Sequence, residues 1–293
     1  MSFVEIIFVV IIPMALFTIM LGMGLSLTMD DLKRVVVFPR AVLLGLCGQL
    51  LLLPLLAFAL IALIGPSPAI AVGTVILAAC PGGTTSNGFV FACRADIALS
   101  VTLTAITSVV TVFTIPFLTH LALNVYFDAA TVPDVPVGTM MIRLATLTLL
   151  PLALGMTFRA NFPARTDKLL GPMRKVTIGA LFFVIGTVCV TSMEDIIANI
   201  PQAGVMAFAL NISSMLMGYA LASGAQLPSA QAISITFEVG LQNLSLALLV
   251  AVTILGRPEL GATALVYFIA MNITAIGLTY YAIKLLRQNE AVG

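Results

Sequence analysis

Residues 238–243 read Glu238-Val239-Gly240-Leu241-Gln242-Asn243, and they interrupt a run otherwise apolar enough to be a membrane-spanning helix. Glu238 is the one acidic residue placed well inside any long apolar stretch of the chain. An ionised side chain at mid-bilayer costs roughly 2.5–3.5 kcal/mol on insertion scales, so it persists only where a partner or water meets it. An earlier apolar run is interrupted in the same fashion, at Cys80-Pro81-Gly82-Gly83-Thr84-Thr85-Ser86-Asn87. Pro81 removes a backbone donor, and Gly82 and Gly83 loosen the chain, so a regular helix cannot easily pass through. Two broken membrane helices in corresponding positions are the best sequence pointer to the binding site of a carrier.

The remaining composition agrees. Of 293 residues, 61% are hydrophobic and only 9% charged, with a mean hydropathy of +1.18. Soluble domains carry about 25% charged residues, so a soluble fold is excluded. The net charge of +1 gives no electrostatic basis for binding nucleic acid. Cys47, Cys80, Cys93 and Cys189 lie in apolar segments without metal-type spacing and read as small hydrophobes.

A hydrocarbon core of about 30 Å takes about 20 apolar residues as helix. By that measure there are about nine segments, at 3–27, 38–64, 69–93, 96–123, 136–157, 176–196, 203–224, 230–254 and 260–286. Alternating strands are absent, so the expected class is an all-α polytopic membrane protein forming one transporter domain over 1–293. Lys33, Arg34, Arg40, Arg94, Arg159, Arg165, Lys168, Arg174, Lys175, Lys284 and Arg287 fall in connections on one side, against Arg257 on the other. The positive-inside rule then puts the C-terminus in the cytoplasm and, with nine spans, the N-terminus outside, in a plasma (inner) membrane.

Each interrupted segment is followed by one intact helix that closes its half of the chain. Two spans precede the first break and three precede the second. An inverted repeat of four plus five spans, five plus five with its first helix missing, has this order, and it makes the two broken helices cross.

The first break carries a cluster of hard oxygen acceptors on Thr84, Thr85, Ser86 and Asn87. Ser100 and Thr104 follow at i and i+4 on one helix face. Glu238 adds the negative charge, Gln242 lies four residues on, and Gln49 is a further amide in an apolar run. Several neutral oxygens with one carboxylate suit sodium, whereas calcium or magnesium wants more carboxylates. The half-helix N-termini would attract an organic anion. Taken singly, Ser100 and Thr104 read equally as packing residues bonded to their own backbone, Gln49 as an interhelical hydrogen bond, and Pro-Gly-Gly as a kink.

The two motifs, with Ala98-Leu99-Ser100, Thr104, Gly22-Met23-Gly24-Leu25, Gln49 and Asn272, closely resemble the bile acid:sodium symporter family over nearly the whole chain. Bacterial relatives with ten spans have one more at the start. The resemblance implies two co-transported sodium ions (Na+). The first site would use Ser86, Asn87, Ser100, Thr104 and Glu238. The second would use Gln49, Glu238, Gln242 and the carbonyls of Val239 and Leu241, with Glu238 bridging both ions. It further implies that Thr84, Asn243 and Asn272 touch the anionic solute. A panel over about 1–35 and 136–200 would support a core over about 36–135 and 201–293.

The leading expectation is therefore a sodium-coupled symporter of an organic anion, a bile acid-like compound or a small carboxylate metabolite, working by alternating access. The alternative is a proton-coupled carrier in which Glu238 titrates. An enzyme is not expected, because Glu238 has no histidine, acidic or metal-binding partner in the sequence pattern.

Overall fold

Gly65-Pro66-Ser67-Pro68 shows how the chain is punctuated. Gly65 ends one helix in the left-handed conformation at φ 65°, and its N–H closes on the carbonyl of Ile61 at 2.9 Å. Pro68 then opens the next helix, where its missing N–H would have been unpaired in any case. The computed structural model describes residues 10–28, 30–31, 39–128, 135–191 and 193–292, without the side chains of 84, 191, 195–196 and 287–292. The start of the first expected span, Lys33, Arg34 and the side chains of Thr84 and Arg287 lie outside the described set.

Every regular element among the described residues is helical. Six helices are long and apolar enough to cross a bilayer. They are α2 (Pro39–Ile64), α5 (Ile97–Tyr126), α6 (Val137–Asn161), α7 (Pro163–Thr191), α8 (Met193–Gly224) and α11 (Ala262–Val292). Of the other three expected segments, one is described only in part and two are divided. The first is α1 (Ile12–Ser26). The third is split into α3 (Pro68–Ala79) and α4 (Thr84–Ala92), and the eighth into α9 (Ser229–Gly240) and α10 (Leu244–Ile254).

α5 displays the polarity of a membrane helix turned inside out. Thr104, Thr107, Ser108 and Thr111 are buried, while Phe113, Phe117, Leu121 and Val125 form an exposed stripe at intervals of four. In water that arrangement would be reversed. Two of these buried hydroxyls donate to backbone carbonyls one turn earlier, Thr107 to Leu103 at 2.8 Å and Ser108 to Thr104 at 2.7 Å, while Thr111 Oγ1 has no partner among the described residues.

In α2 and α6 a single π-turn precedes a Leu-Pro pair. Pro54 and Pro151 offer no N–H, and the turn before each widens so that Leu53 N–H reaches Gly48 O and Leu150 N–H reaches Ala145 O. In α2 this wide turn carries Gln49.

Two groups of packed helices flank the centre. α1 lies against α6 and α7; α8 lies against α9 and α11, and α3 against α5. Glycine sets the first of these approaches. A Cβ on Gly24 would run into the carbonyl of Leu152, and one on Gly155 would meet the backbone of Leu21 and Gly24 at 2.6–2.8 Å. Small residues let membrane helices come close enough for van der Waals packing to hold them. Arg159 adds a polar tie, its Nη1 donating to Leu25 O at 3.0 Å.

Candidate functional site

The two breaks meet and pair with each other. Around Cys80–Gly83 the backbone is extended, with ψ 156° at Cys80 and 159° at Gly83, and Leu241 is extended on the other segment. Gly83 N–H donates to Leu241 O and Asn243 N–H to Pro81 O, both at 3.0 Å, making an antiparallel bridge between Gly82 and Gln242. This small ladder satisfies backbone groups that would otherwise be unpaired at membrane depth. Gly82 is needed there, because a Cβ would overlap the Glu238 carboxylate. Phe89 stacks on Phe237 with ring centroids 5.9 Å apart, tying α4 to α9.

Glu238 is fully buried, and among the described residues no Lys, Arg or His is paired with it. Three hydroxyls surround it. Ser86 Oγ lies 2.8 Å from Oε2, Thr104 Oγ1 lies 2.6 Å from Oε1, and Ser100 Oγ lies 3.3 Å from Oε2. Each also has a second acceptor: Gly83 O at 2.7 Å from Ser86, Asn87 Oδ1 at 2.6 Å from Ser100, and Ser100 O at 3.0 Å from Thr104. A hydroxyl has one proton to donate and two lone pairs. Three protons therefore face six acceptor contacts, and the cluster is rich in oxygen and short of positive charge.

A second network lies across the Gly82–Gln242 bridge. Gln49 Nε2 donates to Cys80 O and to Gln242 Oε1, each at 2.8 Å, and Gln242 Nε2 donates to Val239 O at 2.8 Å. These bonds fix the amide orientation and leave Gln49 Oε1 buried without a hydrogen-bond partner among the described residues. An orphaned acceptor of this kind costs about 1–3 kcal/mol, unless a cation meets it. The carbonyl of Leu241 is engaged by Gly83.

All five residues of the first expected set are thus gathered, and Gln49, Gln242 and Val239 of the second are joined. The hydrogen bonds of Glu238 all fall within the first set. Of the expected solute contacts, Asn243 and Asn272 line a cavity of about 780 Å³ beside the breaks. Asn243 also caps α10, accepting from Leu246 N–H at 3.1 Å. Thr84 opens α4, and its side chain lies outside the described set.

Sequence reasoning missed the support behind the second break. Gly240 O accepts from Asn211 Nδ2 and from the Tyr267 hydroxyl, each at 2.8 Å, and Thr274 Oγ1 donates to Asn211 Oδ1 at 2.6 Å. Asn211 gave the same signal as Gln49, an amide in an apolar run. Tyr267 gave none.

The sequence profile of the sodium bile acid symporter family matches residues 13–199, which include Gln49 and the whole first break. The chain belongs to that family. The probable sodium/metabolite cotransporter BASS1, chloroplastic, of Arabidopsis thaliana is 30% identical over 240 residues. That stretch is 82% of this chain and 58% of the relative, so the chain spans under two thirds of that protein's length. The uncharacterized sodium-dependent transporter YocS of Bacillus subtilis strain 168 is 29% identical over 279 residues, 93% of this chain and 83% of its own length. Human sodium/bile acid cotransporter 4 is 28% identical over 241 residues, 81% of this chain and 54% of the human one. The family is one of transporters and not of enzymes.

Proposed function

We propose that this protein is a sodium-coupled symporter of an organic anion, carrying two sodium ions per solute by alternating access. The observation that supports it most is the proton shortage around Glu238: one buried carboxylate and three hydroxyls with twice as many acceptor contacts as protons. Each hydroxyl can turn a lone pair toward a cation that shares the carboxylate, and Asn87 Oδ1 completes an all-oxygen shell. The second ion would sit where Gln49 Oε1 points, with Gln242 and the carbonyls of Val239 and Leu241, close enough to Glu238 to feel its charge. Because the breaks are paired backbone to backbone, ions that order one order both.

The reading includes nine spans arranged as a four-plus-five inverted repeat, with the N-terminus outside and the C-terminus in the cytoplasm of a plasma membrane. The group α1, α6 and α7 would be the panel, and α2–α5 with α8–α11 the core that moves against it; the heavier packing of α1 on α6 and α7 than of this group on the rest favours that division. Thr84, Asn243 and Asn272 would touch the solute. Two sodium ions with one monoanion carry one net positive charge inward. A tenfold sodium gradient gives about 1.4 kcal/mol per ion, and 100 mV adds about 2.3 kcal/mol. The sum, roughly 5 kcal/mol, sustains accumulation by more than about a thousandfold.

The test uses purified protein in liposomes, with labelled taurocholate, pantoate and pyruvate as probes. Uptake of at least one under an inward sodium gradient, and its absence in potassium, is the expected result. Uptake driven by a pH gradient in sodium-free medium would instead establish the proton-coupled carrier.

A further inference from the structure

Among the described residues, Arg174 is the only charged one in the wall of the cavity. As sequence it belongs with the basic residues that set orientation. In the structure its helix gives it a second position. Leu170, Met173, Arg174, Thr177, Ile178, Leu181 and Phe182 all line the cavity, the i, i+3/i+4 repeat of one face of α7. That face runs about 18 Å from Leu170 to Phe182 at 1.5 Å per residue. Phe182 meets Phe268 edge-on, with centroids 6.4 Å apart, joining α7 to α11 at the end away from Leu170. Arg174 is exposed, stands one turn from the other end, and forms no ion pair with a described residue.

The other described residues of the wall supply no competing charge. Most of it is apolar, including Met20, Met23, Met173 and Leu181, with neutral amides at Asn243 and Asn272. The half-helix N-termini, which the sequence offered as the anion's docking point, are largely engaged by the protein itself. Gly83 and Asn243 donate across the bridge, Ser86 and Leu244 donate to Gly83 O and Gln242 O, and Leu246 donates to the Asn243 side chain. The guanidinium is left as the strong donor on the cavity that no described residue engages.

Resting on the reading above, we propose that Arg174 recognises the anionic group of the solute. A carboxylate or sulfonate pairs with its guanidinium, in the bidentate geometry that arginine favours, while the solute's apolar body lies along the methionine- and phenylalanine-lined length toward Phe182 and Phe268. One cation and no acid among the described residues of the wall select a monoanion with a substantial apolar part. A second carboxylate on the solute would enter an apolar wall without a partner.

Lys175 supplies the control. It carries the same charge on the next residue of the same helix, is exposed, and does not line the cavity. Labelled taurocholate and pantoate serve as probes in liposomes holding the unaltered protein, Arg174→Gln, Arg174→Lys or Lys175→Gln. Expected is a rise of at least tenfold in KM for the transported probe in Arg174→Gln, partial recovery in Arg174→Lys, and a wild-type KM in Lys175→Gln. Sodium-dependent thermal stabilisation should be the same in all four, showing that each is folded and that the ion sites are intact. The proposal is overturned if Arg174→Gln leaves KM within twofold of wild type, or if Lys175→Gln raises it as much, the mark of a general effect of charge at the membrane surface. Absence of sodium-dependent uptake of both probes by the unaltered protein would overturn the symport reading itself, and this inference with it.

Discussion

Thr104 and Glu238, separated by 134 residues of chain, are joined by a 2.6 Å hydrogen bond from the hydroxyl Oγ1 to the carboxylate Oε1. The threonine lies in an unbroken helix and the glutamate in the last turn of a half-helix, two residues before its end at Gly240. A packing role for Thr104 would need only the carbonyl of Ser100, 3.0 Å away, which competes for the same proton. The contact to the acid is what the position adds.

Replacing Glu238 by glutamine keeps the shape and removes the charge. Contacts to a charged group contribute about 1.5–3 kcal/mol each, so sodium affinity should fall by roughly ten- to a hundredfold or more. The measurement is the rise in unfolding temperature on adding sodium to detergent-purified protein, which binding to the folded state alone produces. Glu238→Gln should abolish that rise, and Thr104→Val should shift the sodium midpoint upward by about tenfold. An unchanged midpoint in Glu238→Gln would remove the carboxylate from the ion site.

Gly82→Ala tests the close approach of the two breaks. The added methyl overlaps the Glu238 carboxylate, so either the bridge to Gln242 opens or the acid leaves its hydroxyls. Overpacking of this kind costs about 1–3 kcal/mol, and sodium stabilisation should weaken with it. Gly277→Ala, in a helix with open space around its Cβ, should be neutral or more stable by up to about 1 kcal/mol. Equal behaviour of the two variants in thermal unfolding would argue against a tight crossing.

Much of this site was legible because its signals are chemical contradictions in an apolar chain. Pro81, Gly82 and Gly83 cannot continue a helix, and Glu238 cannot lie in lipid alone, so the breaks and the acid could be placed from composition and depth. Ser100 and Thr104 followed from helical spacing. Periodicity, however, fixes a residue's place on its own helix and not what the neighbouring helix presents to it. Hence the sequence did not reveal that all of Glu238's bonds go to one set, that Gly24 meets the backbone at Leu152, or that Arg174 faces the cavity while Lys175 does not. Tyr267 was invisible for another reason: a tyrosine in an apolar helix violates no rule, and its target is a carbonyl freed by the end of α9.

Gln49 and Gln242 should be energetically coupled. Their direct 2.8 Å bond, and the carbonyls each serves, make a double-mutant cycle with alanine at both positions informative. A coupling of about 1 kcal/mol is expected in thermal unfolding. In uptake assays either single change should lower the steepness of the sodium dependence toward one ion, since the orphaned Oε1 of Gln49 is central to the second site alone. A steepness unchanged by Gln49→Ala would leave the second ion without a site there.

The carbonyl of Gly240 receives two donors, the Tyr267 hydroxyl and the Asn211 amide. It lies at the end of α9, two residues past Glu238, where no following turn supplies an N–H. Tyr267→Phe removes one donor and leaves the carbonyl satisfied, so a loss of about 1 kcal/mol is expected. Asn211→Leu removes the other and also takes away one acceptor of the Thr274 hydroxyl, which keeps the carbonyls of Ala270 and Met271 within reach. In the double variant the carbonyl is buried with no partner, and the loss should exceed the sum of the singles by about 1 kcal/mol or more. Because Gly240 anchors the turn that positions Glu238 and Gln242, the double variant should also weaken sodium stabilisation, while Tyr267→Phe alone should leave the sodium midpoint within about twofold. Strict additivity, with the midpoint unmoved in the double variant, would mean that the carbonyl finds water and that this pair does not hold the break in place.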